Sequence, residues 1–137
     1  MDKKVVVITG ASGGIGSALA QLLATRGAML GLVARREAEL RAVAYRCGGL
    51  AHTCVADMTE RHVVRRVVAE VLARFGRIDV WVNNAGQGLT RPPSELTDDD
   101  IDTMMRVNVK SVLYGTQEVL GHFKVRNSGH VVNVSSM

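Results

Sequence analysis

A glycine-rich turn between an apolar run and an amphipathic stretch is the feature that most constrains this chain. Residues 5–8 are apolar and β-branched, and they break into the segment TGASGGIG at residues 9–16. Such a run predicts a buried strand that ends in a tight turn. Apolar residues then recur at three- and four-residue spacing, which predicts a helix over residues 15–25.

The position of the turn between strand and helix favours a phosphate ligand. The first backbone N–H groups of a helix are unpaired and carry partial positive charge, and glycines let a phosphate approach them closely. This context indicates the pyrophosphate of a dinucleotide. The alternative interpretation is that Gly10, Gly14 and Gly16 serve only the close packing of the backbone.

Composition limits the protein class. The chain has 137 residues, 47% hydrophobic and 22% charged, so we expect one domain spanning residues 1–137. The apolar run after the first four residues is too short for a leader or a membrane span, which favours a cytoplasmic protein without membrane contact. A net charge of +4 suits a small anionic ligand but is too mild to indicate nucleic acid.

The cysteines and histidines show no metal-binding spacing. Cys47 and Cys54 are interpreted as reduced packing residues rather than a disulfide. The four histidines are scattered along the chain without the helical spacing of a zinc site. We therefore expect no metal.

Two arginines follow the second predicted strand, at residues 29–34. In a dinucleotide fold this position meets the adenosine ribose, and an acidic residue there would bond the ribose hydroxyls. Arg35 or Arg36 would instead pair with a ribose 2′-phosphate through two-pronged, charge-assisted bonds. The alternative is a pair of solvated arginines at the start of a helix.

Further strands alternate with helices along the rest of the chain. A third strand is predicted at residues 50–56, a fourth at 78–82 and a fifth at 130–134, with Thr59 and Gly76 bounding the helix between the third and fourth. The alternation predicts an α/β fold: a doubly wound parallel sheet of five strands with helices on both faces. The loops after the strands then meet at one edge of the sheet, where such sheets bind ligands.

A long helix is predicted over residues 101–123, preceded by the capping residue Thr97. Its inward stripe includes Val112 and Thr116, and Asn108 stands in the same stripe. A buried amide is costly unless it is hydrogen-bonded. Periodicity alone leaves two roles open for Asn108: it holds neighbouring backbone, or it serves a site.

These motifs together resemble the short-chain dehydrogenase/reductase family. The resemblance rests on TGASGGIG, Asp57, the NNAG segment at residues 83–86, Asn108 and the VVNVSS segment at residues 131–136, in the family's order. It implies a Rossmann-type sheet, a nicotinamide cofactor, and hydride transfer between that cofactor and an alcohol or carbonyl carbon.

The resemblance also implies roles for individual residues. Asp57, with Met58 beside it, is similar to the family residue that holds the adenine amino group. Asn108 resembles the catalytic asparagine that holds a water in a proton relay, and Ser136, rather than Ser135, resembles the catalytic serine. The residues that resemble the pyrophosphate turn are Gly10, Ser12, Gly14, Ile15 and Gly16, and those that resemble the sheet-stabilising and nicotinamide ribose segment are Asn83, Asn84, Ala85 and Gly86.

The family's general acid/base is a tyrosine in a Tyr-x-x-x-Lys motif after the serine, and Met137 comes before any such motif. Neither Tyr45 nor Tyr114 has a lysine four residues on. The resemblance thus implies an N-terminal portion of the family domain.

We expect a parent protein that is an NADP(H)-dependent oxidoreductase, with NAD as the other possible cofactor, acting on an alcohol or ketone as a homodimer or homotetramer. The alternative is a dinucleotide-binding sensor or partner-binding module without catalysis.

Overall fold

The computed structural model describes residues 1–136, and these form a five-stranded sheet with helices between the strands. The strands are β1 (Val5–Thr9), β2 (Met29–Ala34), β3 (Ala51–Val55), β4 (Val80–Asn83) and β5 (His130–Asn133). The helices are α1 (Gly14–Thr25), α2 (Glu37–Arg46), α3 (Arg61–Phe75), α4 (Asp98–Met105) and α5 (Ser111–Arg126). Short 3-10 turns occur at Gly48–Leu50 and Pro93–Glu95, and a π-helical turn at Arg106–Lys110 joins α4 to α5.

All neighbouring strands are parallel, in the order β3-β2-β1-β4-β5. Ile8 of β1 is aligned with Leu32 on one side and with Val82 on the other. The chain therefore winds outward from β1 to β3 and then returns to the other side of β1. This is the strand order of doubly wound dinucleotide-binding sheets, and it confirms the predicted fold class.

Strand β1 is buried on both faces of the sheet. Val6 and Ile8 belong to the apolar cluster that includes residues of α1 and α2, whereas Val5 and Val7 belong to the cluster that includes residues of α3 and α5. Side chains alternate between the faces of a strand, so a run with no polar residue requires an apolar layer on each side. This requirement explains why β1 is apolar throughout residues 5–8.

The first half of the buried stripe of α5 differs from the prediction by one residue. Val112 and Thr116 are half-buried, whereas Ser111 and Gly115 are buried. Gly115 packs against the indole of Trp81, since a Cβ added at Gly115 would lie 2.7 Å from its Nε1 atom. Only a residue without a side chain fits against the ring at that point.

The long predicted helix is also interrupted and extended. It begins at Asp98 and ends at Arg126, with the π-helical turn between its two α-helical parts. Its start is as expected: Thr97 Oγ1 accepts a bond of 3.1 Å from the N–H of Asp100, and the Asp100 carboxylate accepts one of 2.9 Å from the N–H of Thr97. This reciprocal pair is a capping box.

Two smaller predictions were wrong. Glu60 rather than Thr59 precedes α3, and the Thr59 hydroxyl donates to Asp57 at 2.7 Å instead of capping the helix. Strand β4 begins at Val80 rather than at Ile78, because the N–H of Ile78 donates to Nε2 of His122 at 3.1 Å and not to a neighbouring strand. Both differences arise from side-chain bonds that apolar patterning does not reveal.

A buried carboxylate joins the start of the sheet to the end of α5. Asp79 accepts bonds of 2.8 Å from the N–H of Val5 and from Nε of Arg77, and it lies 3.4 Å from the guanidinium of Arg126. Burial raises the pKa of Asp79, but the Val5 N–H and the two guanidinium groups outweigh that effect and hold the pKa below its usual value.

Among residues 1–136, no helix is both long and apolar enough to span a bilayer.

We predict that Asp79→Asn lowers the free energy of unfolding by about 1 to 3 kcal/mol at neutral pH, because it replaces a charged acceptor in a buried network. A lowered folded-state pKa contributes stability above the unfolded value, and that stability is lost as pH falls through the folded value. The difference between the two proteins should therefore shrink below about pH 4. Urea unfolding across pH measures it, with the exposed carboxylate variant Asp102→Asn as control. A constant difference from pH 7 to pH 3 would contradict this assignment.

Candidate functional site

A cleft of about 510 Å³ opens at the edge of the sheet where the parallel strands end. Its size is typical of a small-molecule site. It is lined by the loops that follow β1, β2, β3 and β4 and by the π-helical turn. The predicted site residues that line it are Gly10, Ser12, Gly14, Ile15, Arg35, Arg36, Asp57, Met58, Asn84, Ala85 and Gly86.

The glycines of the turn have different roles. Gly10 has a φ of +64° and approaches the loop after β4 so closely that an added Cβ would lie 2.8 Å from Cα of Ala85. Gly16 does not line the cleft, and a Cβ there would collide with the carbonyl oxygen of Gly10. Gly14 borders open space, since a Cβ there would meet no atom within 4 Å. The turn thus serves both close packing and access to the cleft.

The start of α1 fits an anionic group. Gly13 precedes the helix and provides no side-chain cap, and the first turn contains no acidic residue. The first N–H groups of a helix have no partner within the helix. With Gly13, Gly14 and Ile15 lining the cleft, the positive end of the helix is directed toward a ligand there. These features fit a dinucleotide bound through its pyrophosphate.

Thr9 fastens the glycine turn to the loop after β4. Its Oγ1 accepts bonds of 3.0 Å from the N–H groups of Asn84 and Ala85. The Asn84 side chain in turn donates to the carbonyls of Thr9 and Gly10 at 3.1 and 3.2 Å. The sequence analysis gave Thr9 no role of its own, although it is the first residue of the TGASGGIG segment.

Asn83 is a buried connector rather than a cleft residue. Its Oδ1 accepts a 2.8 Å bond from the Trp81 indole, and its Nδ2 donates to Thr116 at 3.1 Å and to Asn133 at 2.9 Å. These bonds tie β4 to α5 and to β5. The residue therefore holds in place the strand whose end supplies the loop at residues 84–86.

Charged groups concentrate at the ends of β2 and β3. Nη2 of Arg36 lies 3.5 Å from Oγ of Ser12, and both residues line the cleft beside the glycine turn. Burial raises the pKa of Asp57, but bonds from Thr59 and the nearby Arg35 hold it below its usual value, so the carboxylate stays ionised. Glu37 does not line the cleft, and its carboxylate pairs with Arg41 at 2.6 Å.

Asn108 is exposed in the structure, which corrects its expected burial in an apolar stripe. It lies in the π-helical turn and forms two bonds of 2.8 Å with the backbone of Gln87, one donated by Nδ2 and one accepted by Oδ1. A Cβ added at Gly86 would lie 3.1 Å from that same Oδ1. The wider turn changes which side chains face the sheet, so a stripe drawn at regular α-helical spacing misplaces this residue.

The π-helical turn and the first residue of α5 contribute cleft residues that the sequence analysis missed. Val107 and the buried Ser111 line the cleft. The Ser111 N–H bonds to the carbonyl of Arg106, five residues earlier, and its hydroxyl bonds to the carbonyl of Val107. A π turn is common at functional sites, but no residue pattern here predicted one.

Ser136 is exposed and follows β5 at the same edge of the sheet. The backbone pairing continues past the strand, since the N–H of Val134 donates to the carbonyl of Asn83 at 3.0 Å. Neither Ser136 nor Asn108 is among the residues that line the cleft. Their catalytic roles therefore stay predictions.

Comparison with known proteins gives consistent matches over the whole chain. A family model described as short chain dehydrogenase matches residues 4–137. An uncharacterised oxidoreductase of Staphylococcus epidermidis is 37% identical over 137 residues, which cover 100% of this chain and 60% of that protein. A sepiapterin reductase of Chlorobaculum tepidum is 34% identical, with 98% of this chain and 59% of that protein covered.

A solved structure shows the same likeness. A metagenomic short-chain oxidoreductase in complex with NADP superimposes with a TM-score of 0.92 at 34% identity, over 99% of this chain and 63% of that one. The chain spans about 60% of the length of the curated relatives named above.

We predict that Thr9→Val destabilises the protein by about 1 to 3 kcal/mol, because the isosteric change leaves the N–H groups of Asn84 and Ala85 without their acceptor. It should also weaken dinucleotide binding, since the loop and the turn lose their link. Denaturant unfolding and titration calorimetry measure the two effects. Thr25→Val, which removes an exposed hydroxyl from α1, should change neither. Unchanged stability and affinity in Thr9→Val would show that the link is dispensable.

Proposed function

The chain belongs to the short-chain dehydrogenase family, and we propose that the whole protein is an oxidoreductase that uses NADP(H) and acts on a secondary alcohol or a ketone. The observation that carries the proposal is the cleft, in which an uncapped helix start and two guanidinium groups surround the glycine turn. The bound nicotinamide supplies the hydride chemistry, and the protein residues bind, orient and exchange protons.

The arginines favour a cofactor with a 2′-phosphate. Arg36 lies beside Ser12 at the glycine turn, and Arg35 lies near Asp57, so their positive charges border the cleft on adjacent sides. Glu37, the acidic residue that follows the two arginines, pairs with Arg41 at 2.6 Å and is not among the residues that line the cleft. A guanidinium binds phosphate through charge-assisted bonds, whereas the ribose hydroxyls of NAD would leave it unpaired.

The remaining cleft residues are assigned along the length of the dinucleotide. Backbone N–H groups of Gly14 and Ile15 hold the pyrophosphate. The ionised Asp57, with Met58 beside it, holds the adenine amino group, and the loop of Asn84, Ala85 and Gly86 borders the nicotinamide ribose. Gly16 supports the turn from behind, where its contact with Gly10 requires the absence of a side chain.

Ser136 and Asn108 are proposed to act on the substrate side. The hydroxyl of Ser136 donates a hydrogen bond to the reacting oxygen and stabilises the charge that develops there. Asn108 holds the Gln87 backbone and, through it, the loop that carries Gly86. We propose that a tyrosine of the family's Tyr-x-x-x-Lys motif, after Met137, transfers the proton.

The relatives support an enzyme over a sensor. One relative is named a sepiapterin reductase and another an oxidoreductase, and a structural neighbour binds NADP. A carbonyl substrate is consistent with a reductase of this kind. A dinucleotide sensor without catalysis receives no comparable support from the structure.

We also propose a cytoplasmic homo-oligomer, a dimer or tetramer. The support for the oligomer is an exposed apolar stripe along α4, the π-helical turn and α5, in which every member is 40 to 51% exposed. Its members are Ile101, Met105, Val109 and Leu113. A second copy would remove this stripe from water. Sizing chromatography of the full-length protein measures its oligomeric state.

We predict that Arg35→Ala and Arg36→Ala each reduce the preference for NADPH over NADH about tenfold in the full-length protein, since each removes a charged bond to the 2′-phosphate. Isothermal titration with both cofactors measures the ratio of their dissociation constants. Arg46→Ala, which changes an exposed arginine at the end of α2 outside the cleft, should leave the ratio unchanged. Tighter binding of NADH than of NADPH by the unmodified protein would overturn the cofactor assignment.

We predict that Ser136→Ala in the full-length protein lowers kcat at least about 100-fold with little change in cofactor affinity, because the hydroxyl meets the substrate oxygen and not the dinucleotide. Ser135→Ala is the matched control and should retain most of the activity. Steady-state assays with a panel of ketones and calorimetry with NADPH separate the two effects. A reversed result for the two serines would transfer the role to Ser135.

A further inference from the structure

Three metal-ligating side chains meet on the face of the sheet that α3 covers, outside the cofactor cleft. His52 and Cys54 lie on β3 two residues apart, so they project from the same face of the strand. Glu70 of α3 faces them. The imidazole, thiol and carboxylate ligand atoms all lie within 4.8 Å of one another.

We propose that His52, Cys54 and Glu70 form a binding site for a thiophilic divalent metal ion, with Zn²⁺ as the ion that fits best. Imidazole, thiolate and carboxylate are the three ligand types that zinc uses in proteins. Tetrahedral zinc has bonds of about 2.0 to 2.3 Å, so its ligand atoms lie about 3.3 to 3.8 Å apart. The most widely separated pair of ligand atoms needs to approach by only about 1 Å to reach this geometry.

Hydrogen bonds hold the imidazole and the carboxylate of this group in place. Nε2 of His52 lies 2.8 Å from Oε1 of Glu70, and the Cys54 sulfur lies within 4.8 Å of the ligand atoms of both residues. Glu70 also lies 3.4 Å from Arg66 through its other oxygen, Oε2. The charge of Arg66 and its further bond to the carbonyl of Val55 at 3.2 Å keep that carboxylate oriented. Supporting bonds of this kind orient metal ligands.

Access and depth also suit a bound ion. The side chains of His52 and Glu70 are 28% and 34% exposed, whereas Cys54 is 1% exposed. An ion can therefore enter between the imidazole and the carboxylate and meet the sulfur at the bottom of the site. Water provides the fourth ligand from the solvent side.

Binding requires one proton to leave. The S–H bond of Cys54 breaks and its proton goes to solvent. The ring hydrogen that Nε2 of His52 donates to Glu70 is replaced there by the metal while Nδ1 takes up a hydrogen, and Zn–S, Zn–N and Zn–O bonds form. Burial, with the nearby charge of Glu70, raises the pKa of the Cys54 thiol to about 12, and Arg66 opposes this. Zinc binds the thiolate form of cysteine, so binding releases this proton.

The spacing of His52, Cys54 and Glu70 along the sequence does not reveal this group. The pair His-x-Cys is not a zinc motif by itself, and Glu70 lies 16 residues after Cys54 on a helix. The expectation of no metal assumed that ligands would be close in sequence. In the structure, the packing of α3 on β3 brings the third ligand to the other two.

The first test uses Co²⁺ as a spectroscopic probe on tag-free, full-length protein. The unmodified protein should develop the sulfur-to-cobalt charge-transfer band, and Zn²⁺ should abolish it by displacing cobalt. Cys54→Ser should show no band. Cys47→Ser is the matched control, since Cys47 is the other buried cysteine and lies in the opposite apolar cluster, and it should keep the band.

A second variant keeps the test valid if Cys54→Ser folds poorly. His52→Ala changes a partly exposed side chain and should weaken Zn²⁺ binding at least about tenfold by titration calorimetry. His62→Ala, at an exposed position of α3, should bind Zn²⁺ like the unmodified protein. The proposal is overturned if no band forms, if Cys54→Ser keeps it, or if His52→Ala binds Zn²⁺ with unchanged affinity.

Discussion

The burial of β1 on both faces is the constraint on which the rest of the structure depends. A central strand without polar side chains at residues 5–8 needs an apolar helix layer on each side. The chain meets this need by placing α1 and α2 on one face and α3 and α5 on the other. Crossover connections between parallel strands then bring every strand end to one edge. The position of the cleft therefore follows from the way the helices cover the two faces of the sheet.

Polar residues at that edge divide into those that hold the loops and those that face the cleft. Thr9 and Asn83 are buried and form hydrogen bonds with neighbouring backbone and side chains. Arg35, Arg36 and Asp57 carry charge at the border of the cleft. Buried polar groups must find partners in the protein, whereas the charged groups at the border can exchange water for a ligand. The division explains how a rigid scaffold presents an anion-binding surface.

Strand β3 contributes to two different parts of the molecule. Its end leads to Asp57 in the cleft, while its body carries His52 and Cys54 toward α3. Because β3 lies at the edge of the sheet, β2 is its sheet partner on one side only. Contacts with helices α2 and α3 therefore have a larger share in holding this strand. The group formed with Glu70 is one of these contacts.

The sequence by itself determined the order of strands and helices, the doubly wound class and most of the cleft. The glycine turn, the arginines after β2 and Asp57 were found because local patterns mark strand ends, and parallel winding brings those ends together. Only the tertiary structure decided the roles of Gly115, Asn108 and Glu70. Gly115 depends on the Trp81 ring, Asn108 on a π-helical turn, and Glu70 on the packing of α3 against β3. Each is a contact between residues far apart in the chain or a change in helical pitch, and local spacing carries no information about either.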